Sequence, residues 1–122
     1  MSKKLLVIVS VLMVAVFVLS ACAKAEQPAA PKFTACEVTD TGGIDDKSFN
    51  ATAWKGATDA KAQLGIDVKY LESKEVADFE KNINAFIEEK CDIIITVGFL
   101  LGDATKAAAE ANPNVKFSIV DY

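Results

Sequence analysis

Two periods of apolar positions take turns along this chain. Phe33 to Thr39 is a short strand-like run. Phe49, Ala53, Ala57, Ala60 and Leu64 then recur at helical spacing, and Gly65 is placed to end that helix as its C-terminal cap. Ile66–Leu71 alternates apolar and polar residues, which predicts a second strand with one exposed face. Ser73 can cap the next helix, whose apolar face is Val76, Phe79, Ile83, Phe86 and Ile87. Asp92–Val97 carries Ile93-Ile94-Ile95, a β-branched run suited to a strand buried on both faces. Gly102 and Asp103 open an alanine-rich helix that stops before Pro113, and Val115–Val120 reads as a fourth strand.

This order predicts an α/β fold, a parallel sheet with helices on both faces joined by right-handed crossovers. Residues 33–122, about ninety in number, are enough for one core. No helix follows the fourth strand to cover that end of the sheet, so the expectation is an N-terminal part of a longer chain.

The first residues follow a different pattern. Lys3 and Lys4 precede an apolar stretch from Leu5 to Leu19 broken only by Ser10, which reads as a secretory signal. It is short for a membrane span, which needs about 20 apolar residues. Leu19-Ser20-Ala21-Cys22 resembles a bacterial lipobox, in which the Cys22 thiol is diacylated and the peptide is cut just before it. Two acyl chains anchor a protein stably. Residues 1–21 are thus expected to be the signal peptide, 22–32 a lipidated cysteine and flexible tether, and 33–122 the folded part.

Charge narrows the partners. Of 13 basic and 17 acidic residues, Lys3 and Lys4 leave with the signal, so the mature part carries −6, without any arginine or basic cluster. That excludes the electrostatic footprint of nucleic-acid binding. The chain has no histidine and its cysteines are scattered, which gives a zinc site no support. If the strands containing Cys36 and Cys91 are parallel and end level at Asp40 and Gly98, the two cysteines are offset by three residues, about 10 Å. A disulfide needs Cα atoms within about 7 Å. Both are therefore expected to be buried free thiols.

The segment from Thr39 to Asn50 turns on Gly42 and Gly43 between a strand and a helix, where small ligands sit in open α/β sheets. Its glycines do not have the spacing of a dinucleotide fingerprint. Asp45 and Asp46 before Lys47-Ser48 would repel a triphosphate, and the acids do not alternate as a calcium loop requires. What remains are polar and aromatic groups at the carboxyl ends of the strands: Asp40, Gly98-Phe99 and Asp121, with Phe49 and Asn50 in the following helix's first turn. Carboxylates there are good acceptors for a polar ligand. Plainer roles stand beside these: Asp45 or Asp46 as the helix cap, Phe49 as the start of an apolar stripe, Asn50 as a solvated residue, Trp54 as cover for the core, Phe99 as packing under the next helix, Asp121 as a strand terminus.

Asp40-Thr41-Gly42-Gly43-Ile44-Asp45-Asp46-Lys47-Ser48-Phe49-Asn50, with Trp54 and Gly56, resembles the signature of the basic membrane protein family of bacterial lipoproteins. This family includes substrate-binding proteins of ABC transporters of the purine nucleoside receptor A type. Thr96-Val97-Gly98-Phe99 with Gly102-Asp103-Ala104-Thr105, and Phe117-Ser118-Ile119-Val120-Asp121, are similar to its next two blocks. The resemblance implies part of the first lobe of a type I periplasmic-binding-protein fold, two lobes closing around a ligand. It implies a purine nucleoside, with the base stacked on Phe49 and hydrogen-bonded by Asp40, Asn50 and Asp121, and no cofactor or catalytic residue. It also implies an extracytoplasmic protein lipid-anchored to the cell membrane through Cys22, docking on ABC permease and ATPase subunits. Family members are far longer, so the opposing aromatic and the second lobe lie beyond this sequence. A sugar or other small solute as ligand, and a surface lipoprotein in adhesion or regulation, are the alternative readings.

Overall fold

The computed structural model describes residues 32–122; the signal, Cys22 and most of the tether lie outside the described residues. The elements follow in the order β1 (Thr34–Thr39), α1 (Phe49–Leu64), β2 (Asp67–Glu72), α2 (Asp78–Glu88), β3 (Ile93–Val97), a 3-10 turn (Phe99–Leu101), α3 (Gly102–Ala111) and β4 (Lys116–Val120). All strand pairs are parallel, in the order β2-β1-β3-β4. The chain steps outward from β1 to β2 and then back across to β3. With right-handed crossovers this puts α1 on one face and α2 and α3 on the other. The expected α/β sheet with helices on both faces is the observed fold. Among the described residues no helix is long and apolar enough to cross a membrane.

The core lies under α2 and α3. Cys36, Val38 and Ile94 point from the sheet into Phe79, Ile83, Phe86 and Leu101, all nearly or wholly inaccessible. The alternation of β1 sends Ala35, Glu37 and Thr39 to the opposite face, beneath α1. That second layer is thinner. The expected stripe of α1 is not a core face: Phe49 is 54% and Leu64 74% exposed, and the only fully buried residue of the helix is Asn50. Trp54 packs edge-on against Tyr70 of β2, with ring centroids 4.9 Å apart. Of the isoleucine run, Ile94 is fully buried while Ile93 and Ile95 are partly covered, because a single helix lies over their side.

Two local expectations are corrected. Ser73 does not cap α2 and Val76 is not on its buried face; Val76 is 64% exposed and the helix begins at Asp78. The Asp78 carboxylate accepts the N–H groups of Lys74 and Glu75, which closes residues 74–77 into a turn, and Ser73 is buried against the Asn82 amide instead.

The cysteines are the larger correction. Cys36 and Cys91 form a disulfide, with Cα atoms 6.1 Å apart. The strand ends are level as anticipated, with Thr39 opposite Val97 and Cys36 opposite Ile94. Cys91, however, precedes β3. The chain turns at Lys90, where φ is 59°, and the Cys91 N–H bonds to the Phe86 carbonyl. The extended rise of a strand therefore does not apply to its last steps back from Ile94, and Cys91 folds under β1 beside Cys36.

Candidate functional site

The order β2-β1-β3-β4 has its switch point between β1 and β3. The chain leaves β1 toward one face and β3 toward the other, which opens a crevice at the carboxyl ends of these two strands. Asp40 and Gly98 stand on either side of it. The Asp40 N–H donates to the Val97 carbonyl (3.1 Å), and the Gly98 N–H donates to the Val120 carbonyl (3.0 Å), so the ends of β1, β3 and β4 are level. Asp121, directly after β4, is two strand spacings from Asp40, about 10 Å. It is exposed on the same edge.

Asp40 is held from two sides. Its Oδ1 accepts the Gly42 N–H (2.9 Å) and the Asn50 Nδ2 amide (2.8 Å). Its other carboxylate oxygen lies against Gly98, which has φ of 106° and leaves no room for a Cβ. Asn50 is only 2% exposed, and its Oδ1 has no hydrogen-bond partner among the described residues. The solvated role for Asn50 does not hold: the side chain is buried and orients Asp40.

Neither Asp45 nor Asp46 is the N-cap residue of α1, which is Ser48, but Asp46 takes up the N–H groups of the first turn. Its carboxylate accepts the N–H groups of Ser48 (2.8 Å), Ala51 (3.0 Å) and Asn50 (3.1 Å). Desolvation pushes the Asp46 carboxyl up, but those three N–H groups outweigh it and hold the group below the usual carboxylate range. These bonds fix the first turn of α1, and with it Phe49 and Asn50. The Phe49 ring is exposed and borders an open hollow of about 370 Å³ shared with Ser48, Thr52, Ala53 and Val120. That volume lies at the lower end for small-molecule sites. Phe99 is 66% exposed beyond β3, so it does not pack under α3; Leu101 takes that place.

Asp40, Phe49 and Asn50 are thus gathered at one corner, Asp121 stands across the crevice, and Cys22 lies outside the described residues. Among the described residues no cluster of side chains fits a metal ion.

Residues 33–122 match the family model of ABC transporter substrate-binding proteins, PnrA-like. The chain belongs to this family. Its relatives include a CD4+ T-cell-stimulating antigen of Listeria monocytogenes, 40% identical over 73% of this chain and 26% of the relative. The ABC transporter nucleoside-binding protein BmpA of Lactococcus lactis is 30% identical over 99% of this chain and 37% of its own length. Among solved structures, an ABC transporter solute-binding protein of Aeropyrum pernix superposes with a TM-score of 0.68 and 31% identity, over 75% of this chain and 25% of that one. The chain spans between about a quarter and two fifths of the length of these relatives.

The sequence pattern did not single out two acids, one inside the sheet and one at this edge. Glu37, in the middle of β1, is 1% exposed, and neither carboxylate oxygen has a partner among the described residues. Burial, followed by the charge of Asp46, pushes its carboxyl up to about 7. The available signal was a charge inside an otherwise uncharged strand. Glu72, the last residue of β2, pairs with Thr39 in the sheet and reaches over the end of β1. No local pattern marks it, because its partner is 28 residues away.

Proposed function

We propose that this chain is the N-terminal part of a lipid-anchored, extracytoplasmic solute-binding protein of an ABC importer, and that its ligand is a purine nucleoside. The observation that carries the reading is an exposed aromatic ring, Phe49, in the helix turn whose next residue, Asn50, holds the Asp40 carboxylate in one orientation at the sheet's switch point. A purine offers a flat face for the ring and N–H groups for the acid. The Lactococcus relative bears the name of a nucleoside-binding protein, which supports the same ligand class. A disulfide between Cys36 and Cys91 suits an oxidising compartment outside the cytoplasm.

In this reading the protein captures a nucleoside outside the membrane, closes on it with a second lobe and docks on a permease. It calls for no bond chemistry. Asp121 faces the ligand from the β4 side, and Asn50 acts through Asp40. Cys22 carries the lipid, which mass spectrometry of the detergent-extracted protein detects as a diacylglyceryl group on the N-terminal cysteine.

The test is calorimetry of the whole mature protein with guanosine, adenosine and inosine, and with ribose and other sugars. Saturable nucleoside binding, weakened well over tenfold by Phe49→Ala, is expected. Binding of sugars alone supports the second solute class, and no saturable binding at all favours a role in adhesion or regulation.

A further inference from the structure

The loop from Thr41 to Ser48 crosses the end of β1 between Asp40 and α1, and its own hydrogen bonds are short-range. The Gly42 N–H goes to Asp40 Oδ1, the Gly43 N–H to the Asp40 carbonyl and the Ser48 N–H to Asp46. Among the described residues, one hydrogen bond ties residues 41–48 to a distant part of the chain. The Ile44 N–H donates to Glu72 Oε1 at 2.8 Å. The other carboxylate oxygen, Oε2, takes the Lys74 ammonium at 3.1 Å.

The contact is close on both sides. Gly43 has φ of 73°, and a Cβ there would stand 2.9 Å from Glu72 Oε1, so the carboxylate lies directly against the loop backbone. A loop with two adjacent glycines loses much conformational freedom when it is fixed, and a tie to a strand end offsets that loss. A hydrogen bond to an ionised acceptor is stronger than one between neutral groups. The Ile44 N–H, and after it the Lys74 ammonium, hold the Glu72 carboxyl below its usual range, so the acceptor stays charged at neutral pH.

We propose that Glu72 is a positioning residue for the ligand site: by accepting the Ile44 N–H it clamps the glycine loop to β2 and so steadies the Gly42 N–H that, together with the Asn50 amide, orients the Asp40 carboxylate. The proposal rests on the ligand-binding reading above, and it adds a residue that does not touch the ligand.

The experiment compares Glu72→Ala and Glu72→Gln in the whole mature protein. The glutamine carbonyl can still accept the Ile44 N–H, but as a neutral acceptor, and it also gives up the exposed pair with Lys74, a kind of pair that contributes little. Amide hydrogen exchange at Ile44 and calorimetry with guanosine are read together. Glu72→Ala is expected to speed Ile44 exchange and weaken guanosine binding about tenfold, an effect comparable to losing one hydrogen bond to a charged group. Glu72→Gln, which keeps the acceptor but not its charge, is expected to lie between the parent and Glu72→Ala in both. Unchanged exchange at Ile44 in Glu72→Ala overturns the clamp. Faster exchange with unchanged affinity overturns the positioning role. Should the parent bind no nucleoside, the proposed ligand fails, and the exchange arm still decides whether Glu72 clamps the loop.

Discussion

The side-chain amide of Asn50 donates to Oδ1 of Asp40 at 2.8 Å, and this buried residue on α1 sets the direction of an acid on the end of β1. The amide nitrogen is used and the amide oxygen is not. Asn50→Ala therefore removes one favourable contact together with one unpaired buried acceptor, and the two effects oppose each other in stability. A bond to a charged group contributes about 1.5–3 kcal/mol, so nucleoside affinity should fall tenfold or more. Stability should change much less. Calorimetry and urea unfolding on the same variant check this, and equal affinity in parent and variant would contradict it.

Glu37 makes stability depend on pH in the direction opposite to most acids. Its carboxyl is raised from 4.5 to about 7 in the folded state, so between those values the folded chain holds a proton that the unfolded chain has lost. Its contribution to stability is full below pH 4.5 and is lost as pH rises through 7. A shift of this size is worth about 3 kcal/mol. Glu37→Gln should flatten this part of the profile and be the more stable protein at pH 8. Melting temperatures of parent and variant from pH 4 to 9 decide it; parallel curves would remove the role assigned to burial.

The Cys36–Cys91 disulfide joins β1 to the turn before β3 across 55 residues. Cross-links of this kind typically add about 2–4 kcal/mol. Urea midpoints measured with and without reductant should differ accordingly, and the double variant Cys36→Ala with Cys91→Ala should behave as the reduced protein does. Two free thiols at these positions in denatured, unreduced protein would show the pairing to be wrong.

Gly98 sits at φ of 106°, with the Asp40 carboxylate where its Cβ would be. Gly98→Ala combines backbone strain of about 1–3 kcal/mol with a displaced acid. Both a lower melting temperature and a loss of nucleoside binding beyond tenfold are expected. A variant that melts lower but binds normally would separate the fold from the site.

Much of this was legible in the chain itself. The ends of β1, α1 and β3 follow from the period of apolar residues and from Gly65, because a strand or a helix is decided by neighbours two to four residues apart. The glycine loop announced the crevice for the same reason. The start of α2 was misread because Asp78, not Ser73, organises the turn before it. The apolar stripe of α1 from Phe49 to Leu64 was real as a pattern, but its two large residues, Phe49 and Leu64, face solvent.

Local order, the family signature and the edge on which Asp40, Phe49 and Asp121 gather were determined by sequence alone. Tertiary structure decided which groups touch: Asn50 with Asp40, Ile44 with Glu72, Cys36 with Cys91, and Glu37 with nothing polar. Each of these depends on strand register, on the turn at Lys90 or on the face that α1 covers. Such relations join residues up to 55 positions apart, and no local periodicity encodes them.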